Sequence, residues 1–128
     1  MGIRIVRLGS PRAVDEGLRI GTVRRPPRGV RKDEYAAKNI YDVWFPNLSP
    51  STVLLKEFFR IDDQKQWRAF RRRFLAEMKK PEAAHDLDVL AALSHQTNFS
   101  IGCYCESEAL CHRSLLRELL QTRGALVL

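Results

Sequence analysis

The sequence predicts an α/β fold, a three-layer sandwich with a mainly parallel, Rossmann-like sheet. Two observations support it: short apolar stretches of strand length alternate with longer segments of helical periodicity, and the chain closes with a strand-helix-strand unit, which joins parallel strands. At 128 residues the chain has the usual size of one domain. We therefore expect residues 1–128 to form a single domain.

The N-terminal part supplies the first predicted strands. The stretch "IRIVRL" alternates apolar and basic residues, which predicts a half-buried strand, and "LRIGTV" is the second predicted strand, after a loop that contains Gly, Ser and Pro. The next segment, "RRPPRGVRKDEY", turns because consecutive prolines cannot continue a central strand. A short helix over 33–38 and a strand at "YDVWF" follow. Arginines thus gather at the end of the second strand and in the loop after it, among them Arg24, Arg25 and Arg28.

Two helices are predicted in the middle of the chain. Ser49 and Pro50 suit the N-cap and first position of one helix. Asp63, with Gln66 three residues later, resembles a capping box at the start of the next. An aromatic and apolar stripe at helical spacing predicts its buried face: Trp67, Phe70, Phe74 and Met78. The opposite face carries a basic ridge formed by Arg68, Arg72 and Lys79.

The C-terminal part predicts a helix, a buried strand and a last helix. "EAAHDLDVLAALSHQ" has an amphipathic helical pattern, and "FSIGCYC" is a short apolar run typical of a buried strand. We expect Ser107 to cap the last helix and Gly124 to follow its end. "ALVL" would then close the chain as a short strand.

The chain is basic and has no stretch long enough to span a membrane. Its 22 Lys and Arg against 15 Asp and Glu give a formal net charge of +7, which favours polyanions or small anionic ligands as partners. No apolar run approaches the roughly 18 residues that cross a bilayer, and no signal peptide is recognisable. Three cysteines crowded into one segment argue against a secreted disulfide framework. We expect a cytoplasmic protein with reduced thiols.

All three cysteines lie around the junction of the predicted strand and the last helix, where ligands usually bind in such folds. The N-terminus of a helix carries unpaired N–H groups and a partial positive charge, so Cys111, His112 and Arg113 would stand in a field that suits an anion. The same field lowers the pKa of a thiol and raises its reactivity. The segment is therefore a candidate anion site with a reactive cysteine.

A structural zinc ion is disfavoured by spacing, although Cys103, Cys105, Cys111 and His112 make up a four-ligand set. Cys111 and His112 are adjacent, so on a helix their side chains diverge by about 100°. Paired C-x-x-C ligands are also absent. We expect neither a metal nor another cofactor.

The spacing also differs from known thiol motifs. Cysteine phosphatases and sulfurtransferases place an arginine about six positions after the thiolate, whereas Cys105 lies eight positions before Arg113. Cys105 and Cys111 are open to two readings, as nucleophiles or as buried small residues, and they can also approach each other and form a reversible disulfide. Glu106 is a candidate general base or the partner of an arginine.

Four ordered motifs resemble the family catalogued as domain of unknown function 488. "CYCESEALCHRSLLREL" is similar to the family's strand ending in Cys and Glu, followed by Cys-His-Arg on a helix. "RLGSPRAVDEGLRIGTVRRPPRG", "LSPSTVLLKEFF" and "WRAFRRRFLAEM" resemble its strand-loop-strand entry and two of its helices. The resemblance covers nearly the whole chain and implies one cytoplasmic α/β domain of bacterial or archaeal type, but no reaction. The family's motif residues fall on Arg24, Arg25, Arg28, Cys105, Glu106, Cys111, His112 and Arg113.

Our hypothesis is one pocket that binds a phosphate-bearing ligand, a nucleotide or a nucleic-acid end. The candidate ligand-binding residues are Arg24, Arg25, Arg28, His112 and Arg113, and the candidate catalytic residues are Cys105, Glu106 and Cys111. Two alternatives stay open: a non-catalytic nucleic-acid-binding module that uses the basic ridge, and a thiol redox or metal sensor. Sequence alone decides neither whether the protein is an enzyme nor its oligomeric state.

Overall fold

The computed structural model describes residues 1–128 and contains one parallel sheet with four α-helices. The strands are β1 (Gly2–Arg7), β2 (Leu18–Gly21), β3 (Val43–Trp44) and β4 (Asn98–Cys103). The helices are α1 (Thr52–Phe58), α2 (Gln64–Met78), α3 (Pro81–Leu93) and α4 (His112–Thr122). The predicted α/β sandwich with a parallel sheet is confirmed, and its closer likeness to a Rossmann fold stays a prediction. None of the helices combines the length and apolar character that a membrane span requires.

The strand order is β1-β4-β2-β3, so β4 lies inside the sheet. Arg7 of β1 pairs with Cys103, and Gly21 of β2 pairs with Gly102. Because all strands are parallel, their carboxyl ends meet at one edge. The sheet therefore brings the arginine-rich segment after β2 next to the cysteine segment after β4.

The main core lies on one face of the sheet. Ile3, Ile20, Phe99 and Ile101 share this face, because Ile3 pairs with Phe99 and Ile20 with Ile101. All four helices contribute to the same core, including the predicted stripe of α2. The opposite face is covered mainly by loops that follow β1 and β2, among them the segment with Tyr41.

Three elements besides α4 differ from the sequence prediction: α1 begins later, and two short elements are reduced. Ser49 ends a 3₁₀ helix at Pro46–Leu48, and α1 begins after Ser51, whose Oγ accepts a hydrogen bond from the N–H of Leu54 at 3.2 Å. The helix predicted over 33–38 is a 3₁₀ helix at Lys32–Glu34. The "ALVL" segment makes one isolated parallel bridge, between Val127 and Ile3, instead of a strand.

The start of α4 differs most. Cys111, not Ser107, is its N-cap. Cys111 is fully buried while Leu110 is 62 % exposed, so a helix that began at Ser107 would compete with the burial of Cys111 at the end of β4. The predicted glycine after the helix is confirmed, since Gly124 follows the C-cap with φ of +79°.

Candidate functional site

A cavity of about 580 Å³ opens at the carboxyl ends of β2 and β4. The segment after β2 and the residues of α1 form its walls, and Cys103, Cys105 and His112 line its inner side. Ligands of α/β proteins commonly bind at such strand ends. We refer to this cavity as the pocket.

The three predicted arginines line the pocket, but their roles differ. The guanidinium of Arg24 donates hydrogen bonds to the carbonyls of Pro50 at 3.0 Å and Ser49 at 3.2 Å, so it holds two wall segments together. Arg25 and Arg28 are exposed, and their side chains make no ion pair or hydrogen bond within the chain. These two cations are available to a ligand.

Lys56 and two phenylalanines line the pocket as well, and sequence reasoning missed them as site residues. Lys56 in α1 is exposed and unpaired. Phe58 and Phe59 contact each other edge to face, with ring centroids 5.6 Å apart, and Phe59 is 75 % exposed. The pattern "LLKEFF" is typical of an ordinary amphipathic helix, and only the tertiary fold, in which α1 lines the same cavity as the end of β4, reveals its second role.

Two buried cysteines lie in contact at the base of the pocket. Cys103 ends β4, Cys111 caps α4, and their Sγ atoms are 2.8 Å apart. Cys111 is fully buried and Cys103 is 2 % exposed, whereas Cys105 is partly exposed on the pocket wall. We call these three residues the thiol cluster.

His112 is oriented by a backbone carbonyl. Its Nε2 lies 2.8 Å from the carbonyl oxygen of Thr22, which only accepts hydrogen bonds, so Nε2 carries the proton. In the neutral ring Nδ1 is then the acceptor nitrogen, and it lies 3.5 Å from the Sγ of Cys111. The ring also packs edge to face on Phe74. His112 is thus fixed with its basic nitrogen toward the thiol cluster.

Within the thiol cluster, the pKa of Cys105 is lowered and that of Cys103 is raised. Hydrogen bonding from the Cys103 and Cys111 thiols lowers the pKa of Cys105, and the positive charge of Arg113 adds to this while burial opposes it. The pKa of Cys103 is raised by the same hydrogen bonds and by burial. Arg113 is 3 % exposed, and its guanidinium donates a hydrogen bond to the carbonyl of Cys105 at 2.6 Å. These effects favour the thiolate form at Cys105, which lines the pocket.

Cys103, Cys111 and His112 together offer three ligand atoms that lie within 4.8 Å of one another. The sequence argument that Cys111 and His112 must diverge is wrong, because Cys111 is the N-cap and has extended dihedral angles, φ −138° and ψ 155°. Two thiols and an imidazole are ligands that suit zinc. The absence of a metal stays a prediction.

Glu106 lies outside the pocket. Its side chain is 86 % exposed, and its nearest basic partner is Arg7, with Oε1 and a guanidinium nitrogen 3.8 Å apart. Cys111 and Arg113 are also outside the lining, and both are buried. Of the predicted catalytic residues, only Cys105 is presented to the cavity.

The family model of DUF488-N3a, described as the active DUF488-N3 subclade, matches residues 3–124. The chain belongs to the DUF488 family. The family resemblance inferred from the four motifs is thus confirmed. Neither a curated protein nor a solved structure matches the chain. Membership of this family specifies no substrate or reaction, and the pocket is the feature of this DUF488 protein that indicates a function.

Proposed function

We propose that this DUF488 protein binds a phosphate-bearing ligand, a nucleotide or a nucleic-acid end, in the pocket and presents Cys105 to it as a nucleophile. One observation carries the proposal: the partly exposed Cys105 and three unpaired cations open onto the same cavity of about 580 Å³. That volume lies within the about 300–1,000 Å³ typical of small-molecule sites.

The cations supply the phosphate site. Arg25 and Arg28 come from the loop after β2, and Lys56 comes from the last turn of α1. Arginine side chains bind phosphate through two parallel N–H groups, and lysine adds a point charge. Because none of the three is used within the chain, a phosphate would gain their charge without breaking an existing ion pair.

The apolar wall supplies the second half of the ligand site. Phe58 and Phe59 present an aromatic surface beside the cations, and Tyr104 lies on the β4 side with its hydroxyl donating to the carbonyl of Arg25 at 3.2 Å. A base stacked on an exposed aromatic ring contributes about 1–3 kcal/mol. A nucleotide combines the two features that the pocket offers, a flat aromatic group and an anion.

The reactive group would be the Cys105 thiolate. A thiolate attacks an electrophilic atom without a general base, so the distance of Glu106 from the pocket does not count against a reaction. Arg113 acts as a positioning residue, because it holds the Cys105 carbonyl from below and its charge favours the thiolate.

The test is protection of Cys105 from alkylation. We expect a nucleoside diphosphate to slow the reaction of Cys105 with iodoacetamide, a neutral reagent, as measured by mass spectrometry of the peptide. The Arg25→Gln/Arg28→Gln variant should need at least about tenfold more nucleotide for the same protection, since hydrogen bonds to charged groups contribute about 1.5–3 kcal/mol each.

The matched control is Arg31→Gln. Arg31 is exposed, lies outside the pocket and pairs with Asp33 and Glu34 at 3.3 and 3.6 Å. Its loss removes a positive charge from the same loop without changing the pocket. Equal weakening in both variants, or no protection by nucleotide in the unchanged protein, would refute the proposal.

A further inference from the structure

The contact between Cys103 and Cys111 is closer than ordinary packing. Their Sγ atoms are 2.8 Å apart, whereas even carbon atoms make their best non-bonded contact at about 3.5–4.0 Å. A disulfide bond needs about 2.05 Å. The two sulfurs thus need a movement of less than about 1 Å to form a bond, and both residues are buried, with Cys111 0 % and Cys103 2 % exposed.

We propose that Cys103 and Cys111 form a redox-active dithiol that reduces organic disulfides through Cys105. This activity goes beyond phosphate binding and requires only that Cys105 be the accessible thiol of the cluster. An external disulfide cannot contact Cys111, which is fully buried, but it can enter the pocket and meet Cys105.

The first step is attack of the Cys105 thiolate on one sulfur of the external disulfide. The external S–S bond breaks, one external thiolate leaves, and Cys105 carries the other half as a mixed disulfide. Cys111 then transfers its proton to Nδ1 of His112, 3.5 Å away, and attacks the Cys105 sulfur. This releases the second external thiolate and leaves a Cys105–Cys111 disulfide.

The last step transfers the bond to the buried pair. Cys103 attacks the Cys111 sulfur, 2.8 Å away in the reduced protein, and the bond to Cys105 breaks with its electron pair returning to Cys105. The protons of Cys103 and Cys111 end on the two released thiolates. One external disulfide is thus reduced by two electrons to two thiols, and two protein thiols are oxidised to one disulfide, which an external dithiol can reduce again.

The probe is dithiobis(nitrobenzoate), an aromatic disulfide whose thiolate product is coloured. One equivalent added to the fully reduced protein should release both thiolates from each reagent molecule. Peptide mapping should then find Cys103 joined to Cys111, with Cys105 free. The Cys105→Ser variant should react with the reagent at least tenfold more slowly, because it lacks the accessible thiol through which the reagent oxidises the buried pair.

The Cys103→Ala/Cys111→Ser variant isolates the transfer steps, and serine at position 111 keeps a good helix N-cap. It should release one thiolate and keep the other half of the reagent on Cys105. Any of three results with the unchanged protein would overturn the proposal. The reagent could stay on Cys105 as a stable adduct while Cys103 and Cys111 remain free thiols, or the final disulfide could include Cys105. The thiols could also react only after a chelator removes a metal.

The phosphate-site proposal fails separately from this one. A nucleoside diphosphate added before the probe should slow the first step without changing which disulfide forms. If it has no effect while the buried disulfide still forms, the pocket does not bind nucleotides but the dithiol activity stands.

Discussion

Glu16 and Arg19 form an ion pair that is almost completely removed from solvent, on the sheet face opposite the helices. Arg19 Nε and Nη2 donate to the two carboxylate oxygens of Glu16 at 2.7 and 2.9 Å, and the Ser100 hydroxyl donates to the same carboxylate at 2.7 Å. Arg19 also donates to the carbonyls of Ser10 and Asn39. Burial raises the free energy of the Glu16 carboxylate, but these hydrogen bonds outweigh that effect and lower its pKa to about 2.

Replacing Glu16 with glutamine should destabilise the protein by about 3–5 kcal/mol at pH 7, because it leaves the charge of Arg19 buried without a partner. The measurement is urea unfolding followed by circular dichroism. Asp15→Asn is the control: Asp15 pairs with Arg4 at 2.9 Å, but its side chain is 67 % exposed, so about 0–1 kcal/mol is expected. Similar losses in the two variants would contradict the prediction.

The same pair predicts a dependence of stability on pH. The folded pKa of Glu16 lies below its ordinary value of 4.5, so its stabilisation is complete above about pH 4.5 and is lost as the pH falls toward about 2. At 1.36 kcal/mol per pKa unit, the loss is about 3 kcal/mol. In Glu16→Gln this part of the pH dependence should disappear.

At the scale of elements, local signals predicted α2 well and α4 poorly. The cap of α2 is confirmed, since the N–H of Gln66 donates to Asp63 Oδ1 at 2.7 Å, and its apolar stripe is buried because cap and periodicity agree. In α4 the segment "SEAL" favours an early helix start, but the burial of Cys111 against Cys103 requires a later one. Local helix propensity does not predict the contact between Cys111 and Cys103, because these residues meet only in the folded protein.

The entry into β2 depends on a close approach that only glycine allows. Gly17 has φ of +76°, and a Cβ there would lie 2.1 Å from the backbone oxygen of Asn98, the first residue of β4. Gly124 has a similar φ of +79° but open space around it. The two positions thus share the same backbone requirement and differ in the space for a side chain.

Gly17→Ala should therefore destabilise the protein more than Gly124→Ala. In both variants the left-handed backbone destabilises the folded protein by about 1–2 kcal/mol. Gly17→Ala should destabilise it by about 1–3 kcal/mol more, because β2 must shift away from β4. Urea midpoints at an unchanged denaturant slope measure the difference. Equal midpoints would mean that the approach to Asn98 relaxes without cost.

At the scale of the whole molecule, the basic residues that give the net charge of +7 have different roles. Arg19 and Arg113 are buried and structural, and other arginines pair with carboxylates, as Arg117 does with Glu108 at 2.6 Å. A count of charges along the sequence does not distinguish these from free cations, since pairing is set by tertiary contacts. Two groups stand out among the unpaired surface cations: the pocket cations and the basic ridge of α2, where Arg68, Arg72 and Lys79 are exposed.

The two groups predict different dependence on salt. If the physiological ligand is a nucleic-acid end, the pocket binds its terminal nucleotide and the basic ridge contacts phosphates further along the strand. Arg68→Gln/Arg72→Gln should then leave mononucleotide protection of Cys105 unchanged, but reduce the salt slope of single-stranded oligonucleotide binding by about 1.4, at about 0.7 for each phosphate contact.

The pocket variant Arg25→Gln/Arg28→Gln provides the comparison for the basic ridge, because it removes the same charge from the molecule. It should weaken mononucleotide and oligonucleotide alike, as measured by protection of Cys105 and by fluorescence anisotropy at several salt concentrations. If the ridge variant leaves the oligonucleotide slope unchanged, the ridge only solvates α2. If the ridge variant alone abolishes oligonucleotide binding while the pocket variant binds normally, nucleic acid is bound by the ridge, independently of Cys105.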